Sequence, residues 1–133
     1  PVRGLYVGCP AMSAKISPAN IMLKRAYERP DPHDGVRILV DRLWPRGVTK
    51  QAAAIDQWFK EIAPTAELRK WFGHEAQRWP EFQRRYAQEL TKHEPLLETL
   101  REHARRGPLT LVYSAHDELH NDAIVLRNVL LGN

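Results

Sequence analysis

Short apolar runs alternate with helical patterns along this chain. Residues 21–27 and 36–44 predict two strands, and the run L-T-L-V-Y-S after Pro108 predicts another. The segment E-R-P-D-P-H-D-G between the first two strands is rich in turn-forming residues and too short for a helical crossover. The first two strands therefore either pair antiparallel or lie apart in the sheet.

Helical patterns fill much of the remaining chain. Thr49 and Thr65 stand where N-cap residues are expected, and Gly73 and Gly107 stand where helices end. The apolar stripe of Trp79, Phe82, Tyr86 and Leu90 has helical spacing. The predicted helices cover 50–54, 65–72, a segment from about residue 78, a segment ending at 105–107, and a last helix starting at Asp117.

Residues 55–63 are ambiguous. Ile55, Trp58, Phe59 and Ile62 match the i, i+3, i+4, i+7 positions of a helix, whereas the aromatic content and the following Pro64 also allow a strand. On the pattern alone we predict a helix.

These elements predict a single α/β domain at 21–133, with a small, mostly parallel sheet flanked by helices in a Rossmann-like arrangement; a mixed sheet stays open. A chain of 133 residues suits one domain, and it has no apolar run of the ~20 residues that cross a bilayer. We interpret residues 1–20 as an added extension or a disordered N-terminus, with Met12 as a plausible start.

Arginine dominates the charge of the chain. The formal net charge is +4, and fourteen of the twenty basic residues are arginine, which binds phosphate and carboxylate through a two-pronged guanidinium. An anionic partner is therefore a reasonable expectation. Nucleic acid is the less favoured partner, because it requires a clustered basic face, and many of these cations alternate with glutamate. The single cysteine, Cys9, fits a cytoplasmic protein.

Polar residues follow two predicted strands. D-R-L-W-P-R-G begins at Asp41, and S-A-H-D begins at Ser114 and leads into the predicted last helix. Ligands of open α/β sheets bind beyond the carboxyl ends of the strands, and a helix start favours an anion. Arg42 and Arg46 would bind the anion. In the alternative, Asp41 and both arginines form internal salt bridges that only tie loops together.

Further candidates lie in two motifs. H-D-E-L-H at 116–120 differs from the zinc motif H-E-x-x-H, because aspartate follows the first histidine, and we expect no metal site. His120 is either a general acid or base or a residue that binds a neighbouring loop. In L-R-K-W-F-G-H the aromatic residues fit a core, while Arg69 and His74 stay candidates for ligand binding. Glycine-rich phosphate loops are absent, so no cofactor is expected.

The motifs V-D-R-L-W-P-R-G, I-A-P-T, L-R-K-W-F-G-H and L-V-Y-S-A-H-D-E-L-H-N-D-A-I-V-L occur in an order that resembles the YeaO-like proteins of the domain-of-unknown-function 488 (DUF488) family. The resemblance covers about residues 22–131. It implies an α/β fold with a strand at 55–62 after a short helix, contrary to the pattern. It also implies a set of motif residues: Asp41, Arg42, Trp44, Pro45, Arg46, Trp58, Lys60, Ala63, Pro64, Arg69, Trp71, Gly73, His74, Tyr113, Asp117, His120 and Asn121.

We therefore expect a cytoplasmic protein that binds a small anionic ligand, such as a nucleotide or phosphate ester, at the strand ends. The expected ligand-binding residues are Asp41, Arg42, Arg46, Lys60, Arg69, His74, Tyr113 and Asn121, with Asp117 and His120 as the candidates for proton transfer. A nucleic-acid-binding accessory protein and a partner-binding domain without a small-molecule site are the alternatives. No membrane partner is expected, and the sequence leaves open the oligomeric state and whether a reaction is catalysed.

Overall fold

Four parallel strands form the sheet of this computed structural model, which describes residues 16–132. The strands are β1 (Ile21–Arg25), β2 (Val36–Leu39), β3 (Gln57–Trp58) and β4 (Leu109–Tyr113), in the spatial order β1-β4-β2-β3. The predicted α/β class with a mostly parallel sheet is confirmed, and every pairing is parallel. Because β4 lies between β1 and β2, the first two strands are apart, which was one of the two predicted arrangements.

Both N-terminal strands end earlier than predicted. Ala26 and Val40 still donate backbone hydrogen bonds to β4, at 2.7 Å to the carbonyl of Tyr113 and 3.1 Å to that of Val112. Beyond them the chain turns away over the carboxyl edge of the sheet. The predicted strand end at residue 44 is therefore wrong, and residues 41–46 form a loop at the strand tips.

Among residues 16–132, five α-helices accompany the sheet. They are α1 (Lys50–Ala53), α2 (Ala66–Phe72), α3 (Trp79–Leu90), α4 (Glu94–Arg106) and α5 (Asp122–Leu131). The predicted caps of the first two are confirmed: Thr49 accepts from the amide of Ala52, and Thr65 accepts from that of Leu68. Gly73 ends α2 in the left-handed conformation, as the sequence predicts.

The pattern-based helix at 55–63 is wrong. Ala54 is left-handed and ends α1, after which the chain joins the sheet as β3. Asp56 donates its amide to the carbonyl of Arg37 at 2.8 Å, and Phe59 donates to that of Leu39 at 2.9 Å. The strand implied by the family resemblance is confirmed, although it is limited to Gln57–Trp58. The hydrogen bonds to β2 are tertiary contacts, and they make this segment a strand although the spacing of its apolar residues fits a helix.

The last helix begins at Asp122, five residues later than predicted. Its N-cap is Asn121, whose side chain accepts from the amide of Ile124. Asp117 instead organises a turn, because its carboxylate accepts from the amides of Leu119 and His120 at 2.9 and 3.0 Å. This local bonding competes with helix formation, so His120 lies in the preceding loop and not in the first helical turn.

The two faces of the sheet are covered differently. Helices α3, α4 and α5 pack together over one face, where the larger core includes Ile38, Leu111 and Leu126. On the other face, Leu39 and Val112 pack beneath Trp44, Ile55 and Trp58. Residues 41–58 therefore cover this second face of the sheet, and the loop that follows β2 is part of the same segment.

An ion-paired cluster lies at the opposite, amino end of the strands. The buried Arg37 donates to Asp34 at 2.6 Å and to the carbonyl of Ala53 at 2.8 Å, and Lys24 also pairs with Asp34 at 3.2 Å. Gly35 next to this cluster has φ +66°, and a Cβ there would lie 2.2 Å from the carbonyl oxygen of Pro108. Close approach of the two backbones therefore requires glycine at this position.

The predicted N-terminal extension lies largely outside the described residues, which begin at residue 16. Within them, Pro18–Asn20 forms a 3-10 turn, and Asn20 donates from its amide side chain to the carbonyl of Ala104 at 2.7 Å. Across residues 16–132, no helix has the length and apolar character needed to span a bilayer.

Candidate functional site

A cleft of about 560 Å³ lies at the carboxyl edge of the sheet. Loops that follow all four strands contribute to it, together with the C-terminal end of α2 and the side chain of Phe82 from α3. Its walls consist of Tyr27, Asp41, Arg42, Leu43, Trp44, Pro45, Arg46, Ala63, Pro64, Arg69, Lys70, Phe72, His74, Phe82, Ser114, Ala115, His116, His120, Asn121 and Asp122. The volume lies within the range of small-molecule sites.

The cleft brings together most of the residues that the sequence singled out. Seven of the ten residues predicted to bind the ligand or transfer a proton line it: Asp41, Arg42, Arg46, Arg69, His74, His120 and Asn121. They come from positions up to 80 residues apart, since parallel strands bring all their carboxyl ends to one edge. Lys60, Tyr113 and Asp117 do not line the cleft.

Asp41 joins the loop after β2 to the end of β4. Its Oδ2 accepts from the backbone amide of Ser114 at 2.9 Å and from the Ser114 hydroxyl at 2.7 Å. Its carbonyl accepts from the indole of Trp58 at 2.7 Å. The Asp41 carboxylate is thus held in a fixed position on the cleft wall without a salt bridge to any described residue.

Asp122 also lines the cleft, and its carboxyl contacts that of Asp41. Burial of its carboxyl, then the charge of Asp41 and a hydrogen bond with Asp41, raise the pKa of Asp122 well above its ordinary value. The adjacent hydroxyl of Tyr86 is fully buried and donates to the carbonyl of Ile62 at 2.6 Å. Burial and the charges of Asp122 and Asp41 also raise the pKa of Tyr86. Two carboxyls in contact do not both ionise cheaply, which accounts for the raised pKa of Asp122.

Sequence reasoning missed both Asp122 and Ser114 as parts of this arrangement. With the helix predicted to begin at Asp117, Asp122 fell inside the helix, away from the strand tips. The signal that was available is the Asn121-Asp122 pair, because asparagine at the N-cap followed by an acid in the first turn is typical of a helix start.

Four cationic side chains line the cleft, and three of them have no described polar partner. Arg46, Arg69 and Lys70 make no side-chain salt bridge or hydrogen bond within residues 16–132 and are exposed. Arg42 donates only weakly, at 3.3 and 3.5 Å, to the carbonyls of Ala63 and Pro64. The buried Nε of Arg42 contacts no acceptor in the part of the chain that the structure describes.

His120 is oriented by Asp117. The Nδ1 atom of His120 lies 2.9 Å from Oδ2 of Asp117, and the ring meets Trp79 edge-on with centroids 5.3 Å apart. Because the carboxylate only accepts, Nδ1 carries the proton in the bond and Nε2 stays available. Hydrogen bonds from the Leu119 amide and from His120 hold the pKa of Asp117 below its usual value. The Asp117 carboxylate therefore orients the His120 ring and the turn before α5.

The other two predicted residues are placed elsewhere. Lys60 lies over the ring of Trp58 at 4.4 Å, on the exposed edge beside β3. Tyr113 is the last residue of β4, only 3% exposed, and burial raises its pKa. Asn121 lines the cleft, but its side chain already caps α5 and donates to the carbonyl of Asp117 at 3.0 Å.

The described residues, 16–132, contain no group of three or more histidine, cysteine, aspartate or glutamate side chains arranged to hold a metal ion. His116 instead contacts Arg25, whose guanidinium lies 3.3 Å from His116 Nδ1. The cleft therefore offers hydrogen-bonding and charged groups to a ligand: a cationic wall, a carboxyl pair and an oriented imidazole.

Comparisons with known proteins agree on one family. A family model described as the inactive DUF488-N3 subclade matches residues 20–133. The chain is 47% identical over 111 residues to uncharacterized protein YeaO of Escherichia coli K12, across 84% of this chain and 96% of that protein. It is 39% identical over 112 residues to uncharacterized protein Rv3073c of Mycobacterium tuberculosis H37Rv, across 84% of this chain and 94% of that protein. No solved structure gives a significant match.

Proposed function

Since the chain belongs to the inactive DUF488-N3 subclade of the DUF488 family, as a YeaO-like protein, we propose that it binds a small anionic ligand at the strand ends without transforming it. The proposed ligand is a nucleotide or another phosphate ester. The observation that carries this proposal is the set of cationic side chains in the cleft, Arg46, Arg69 and Lys70, that have no described anionic partner.

The charge balance of the cleft supports an anion. Four cationic side chains and two carboxyls line the cleft, so its formal charge is positive even with both carboxyls ionised. Arg46 comes from the loop after β2, whereas Arg69 comes from α2, which would let them approach a phosphate from two sides. Guanidinium groups suit this role, because they bind phosphate oxygens through paired hydrogen bonds.

The Asp41–Asp122 carboxyl pair and His120 are suited to bind a ligand as well as to transfer a proton. Asp41 is bonded to Ser114, and His120 is bonded to Asp117, so both are oriented and both leave further polar atoms for a ligand. In the proposed role, Asp117 positions His120, and His120 donates to or accepts from the ligand. The description of the subclade as inactive favours this reading over proton transfer in a reaction.

The two alternatives receive less support. A partner-binding domain without a small-molecule site required Asp41, Arg42 and Arg46 to form internal salt bridges, and none of them does so among residues 16–132. A nucleic-acid-binding face required clustered free cations, but Arg84, Arg101 and Arg105 on the helices pair with neighbouring glutamates. The proposed setting is the cytoplasm, because a chain with one cysteine forms no internal disulfide.

Thermal denaturation at low ionic strength tests the proposal, with inorganic phosphate, sugar phosphates and nucleotides as probes. We expect at least one of them to raise the melting temperature of the wild-type protein, because a ligand that binds the folded state stabilises it. Arg46→Ala should reduce this shift. The effect should weaken as salt screens the partly exposed cations.

The matched control is Arg106→Ala. Arg106 has the same charge, its side chain is 80% exposed, and it precedes β4 at the amino edge of the sheet, away from the cleft. This variant should keep the full ligand-induced shift. The proposal is wrong if no phosphate compound stabilises the wild-type protein, or if Arg46→Ala and Arg106→Ala respond alike.

A further inference from the structure

Exposed apolar side chains concentrate at the edge of the sheet that carries the cleft. Among the described residues, the large hydrophobic side chains that are exposed are Tyr27 at 48%, Leu43 at 67% and Leu119 at 74%. Tyr27 follows β1, Leu43 follows β2, and Leu119 follows β4. All of them lie beyond the carboxyl ends of strands, and two of them, Tyr27 and Leu43, belong to the cleft.

Tyr27 and Leu43 also line the cleft itself, next to Arg46. The Tyr27 hydroxyl donates to the carbonyl of Arg46 at 3.1 Å, which fixes the ring beside the loop that carries this cation. The guanidinium of Arg25 lies 5.1 Å from the centre of the ring. An aromatic ring in a fixed position and an unpaired arginine thus occupy the same side of the cleft.

We infer that the ligand is a nucleoside phosphate, whose phosphate contacts Arg46 and whose base packs against Tyr27 and Leu43. This inference rests on the proposed function and narrows its ligand class. A base supplies a flat apolar surface that covers exposed aromatic and aliphatic side chains, and its contact with an aromatic ring is favourable for any base identity. A ligand with phosphate alone would leave this apolar wall in water.

The carboxyl pair adds a group suited to the sugar. Asp41 and Asp122 line the same cleft as the cations. Carboxyl oxygens accept hydrogen bonds, which suits them to contact hydroxyl groups. A sugar between the phosphate and the base would carry such hydroxyls, so cations, carboxyls and apolar side chains each have a counterpart in a nucleoside phosphate.

Titration calorimetry with three probes tests the inference: inorganic phosphate, ribose 5-phosphate and the common nucleoside monophosphates. At least one nucleoside monophosphate should bind about five- to tenfold more tightly than ribose 5-phosphate, as expected for one base contact. Leu43→Ser and Tyr27→Ala should weaken binding of that nucleotide severalfold and leave ribose 5-phosphate nearly unchanged. Both positions are exposed, so these variants are expected to fold.

Leu119→Ser is the matched control, because Leu119 is as exposed as Leu43 but does not line the cleft. It should bind every probe as the wild-type protein does. If ribose 5-phosphate and the nucleotides bind equally, or if Leu43→Ser and Leu119→Ser have the same effect, the inference is wrong while the proposed function stands. If none of the probes binds, both are wrong.

Discussion

The carboxylate of Asp41 accepts two hydrogen bonds from Ser114, one from the backbone amide at 2.9 Å and one from the hydroxyl at 2.7 Å. These residues are 73 positions apart, yet their bonds connect the loop after β2 to the end of β4. The wall of the cleft is therefore held by polar contacts between strand tips.

Ser114→Ala should lower the free energy of unfolding by about 1–2 kcal/mol, because it removes a hydrogen bond to a charged acceptor that is partly buried. Urea denaturation measures this change. Thr91→Ala is the control: its hydroxyl also donates one bond, to the carbonyl of Gln88 at 2.7 Å, but at an exposed position. The control should change stability by less than about 0.5 kcal/mol. Equal effects of the two substitutions would contradict the proposed importance of the Asp41 contact.

Asp122→Asn should make the protein more stable at neutral and alkaline pH than the wild type, by a margin that grows with pH. The pKa of Asp122 is raised in the folded state, so the folded state binds its proton more tightly than the unfolded state, in which the pKa is near 3.8. The contribution of Asp122 to the free energy of unfolding is therefore greatest below about that pH, and it is lost as the pH rises toward the pKa of the folded state. Asparagine stays neutral and avoids the loss.

Urea denaturation of both proteins at several pH values between 4 and 8 measures this margin. Subtracting the two curves removes groups such as Asp117, whose lowered pKa acts in the opposite direction. A difference that stays constant with pH would show that Asp122 ionises as easily in the folded protein as in the unfolded chain.

Asn121→Ala should cost about 1–2 kcal/mol of stability, because it removes the N-cap of α5. The residue is 3% exposed, and its side chain also donates to the carbonyl of Asp117. Asn121→Ser keeps a capping oxygen but is too short for the second bond, so its loss should be smaller. Circular dichroism during thermal unfolding ranks the variants. The same loss for serine and alanine would mean that the cap contributes nothing.

Gly35→Ala should destabilise the protein by more than about 2 kcal/mol, since it combines a positive-φ backbone, with φ +66° and ψ −137°, with a steric clash. A Cβ at Gly35 would lie 2.2 Å from the carbonyl oxygen of Pro108. Gly47 has φ +79° with no atom within 4 Å, so Gly47→Ala measures the backbone strain alone. Its expected cost is about 1 kcal/mol. Chemical denaturation that gives both variants the same stability would rule out the clash.

Local signals were predictable from the sequence with good accuracy. Thr65 and Gly73 mark the two ends of α2, because capping and left-handed termination depend on residues within one helical turn. The strand at 109–113 was equally predictable, because a buried apolar run between Pro108 and a polar segment leaves few alternatives. The end of β2 was not, because the predicted strand continued to residue 44 while the chain leaves the sheet after Val40.

Errors arose where a local pattern competed with another interaction. The spacing at 55–63 fits a helix, but hydrogen bonds to β2 make Gln57–Trp58 an edge strand. Asp117 begins an acidic segment that suggests a helix start, but its carboxylate bonds to nearby amides and delays the helix to Asp122. Both outcomes depend on which hydrogen bonds the backbone amides form, and the spacing of apolar residues in the sequence does not reveal this.

The sequence by itself determined the α/β class, most helix ends and the residue types at the strand tips, because these follow from periodicity and from contacts within a few residues. Only the tertiary structure decided which of those residues meet. It placed β4 between β1 and β2, brought Asp122 against Asp41, left Arg46 without a described partner and moved Lys60 and Tyr113 out of the cleft. The order of strands and the direction of side chains depend on packing between distant segments, and that packing fixes the chemistry of the site.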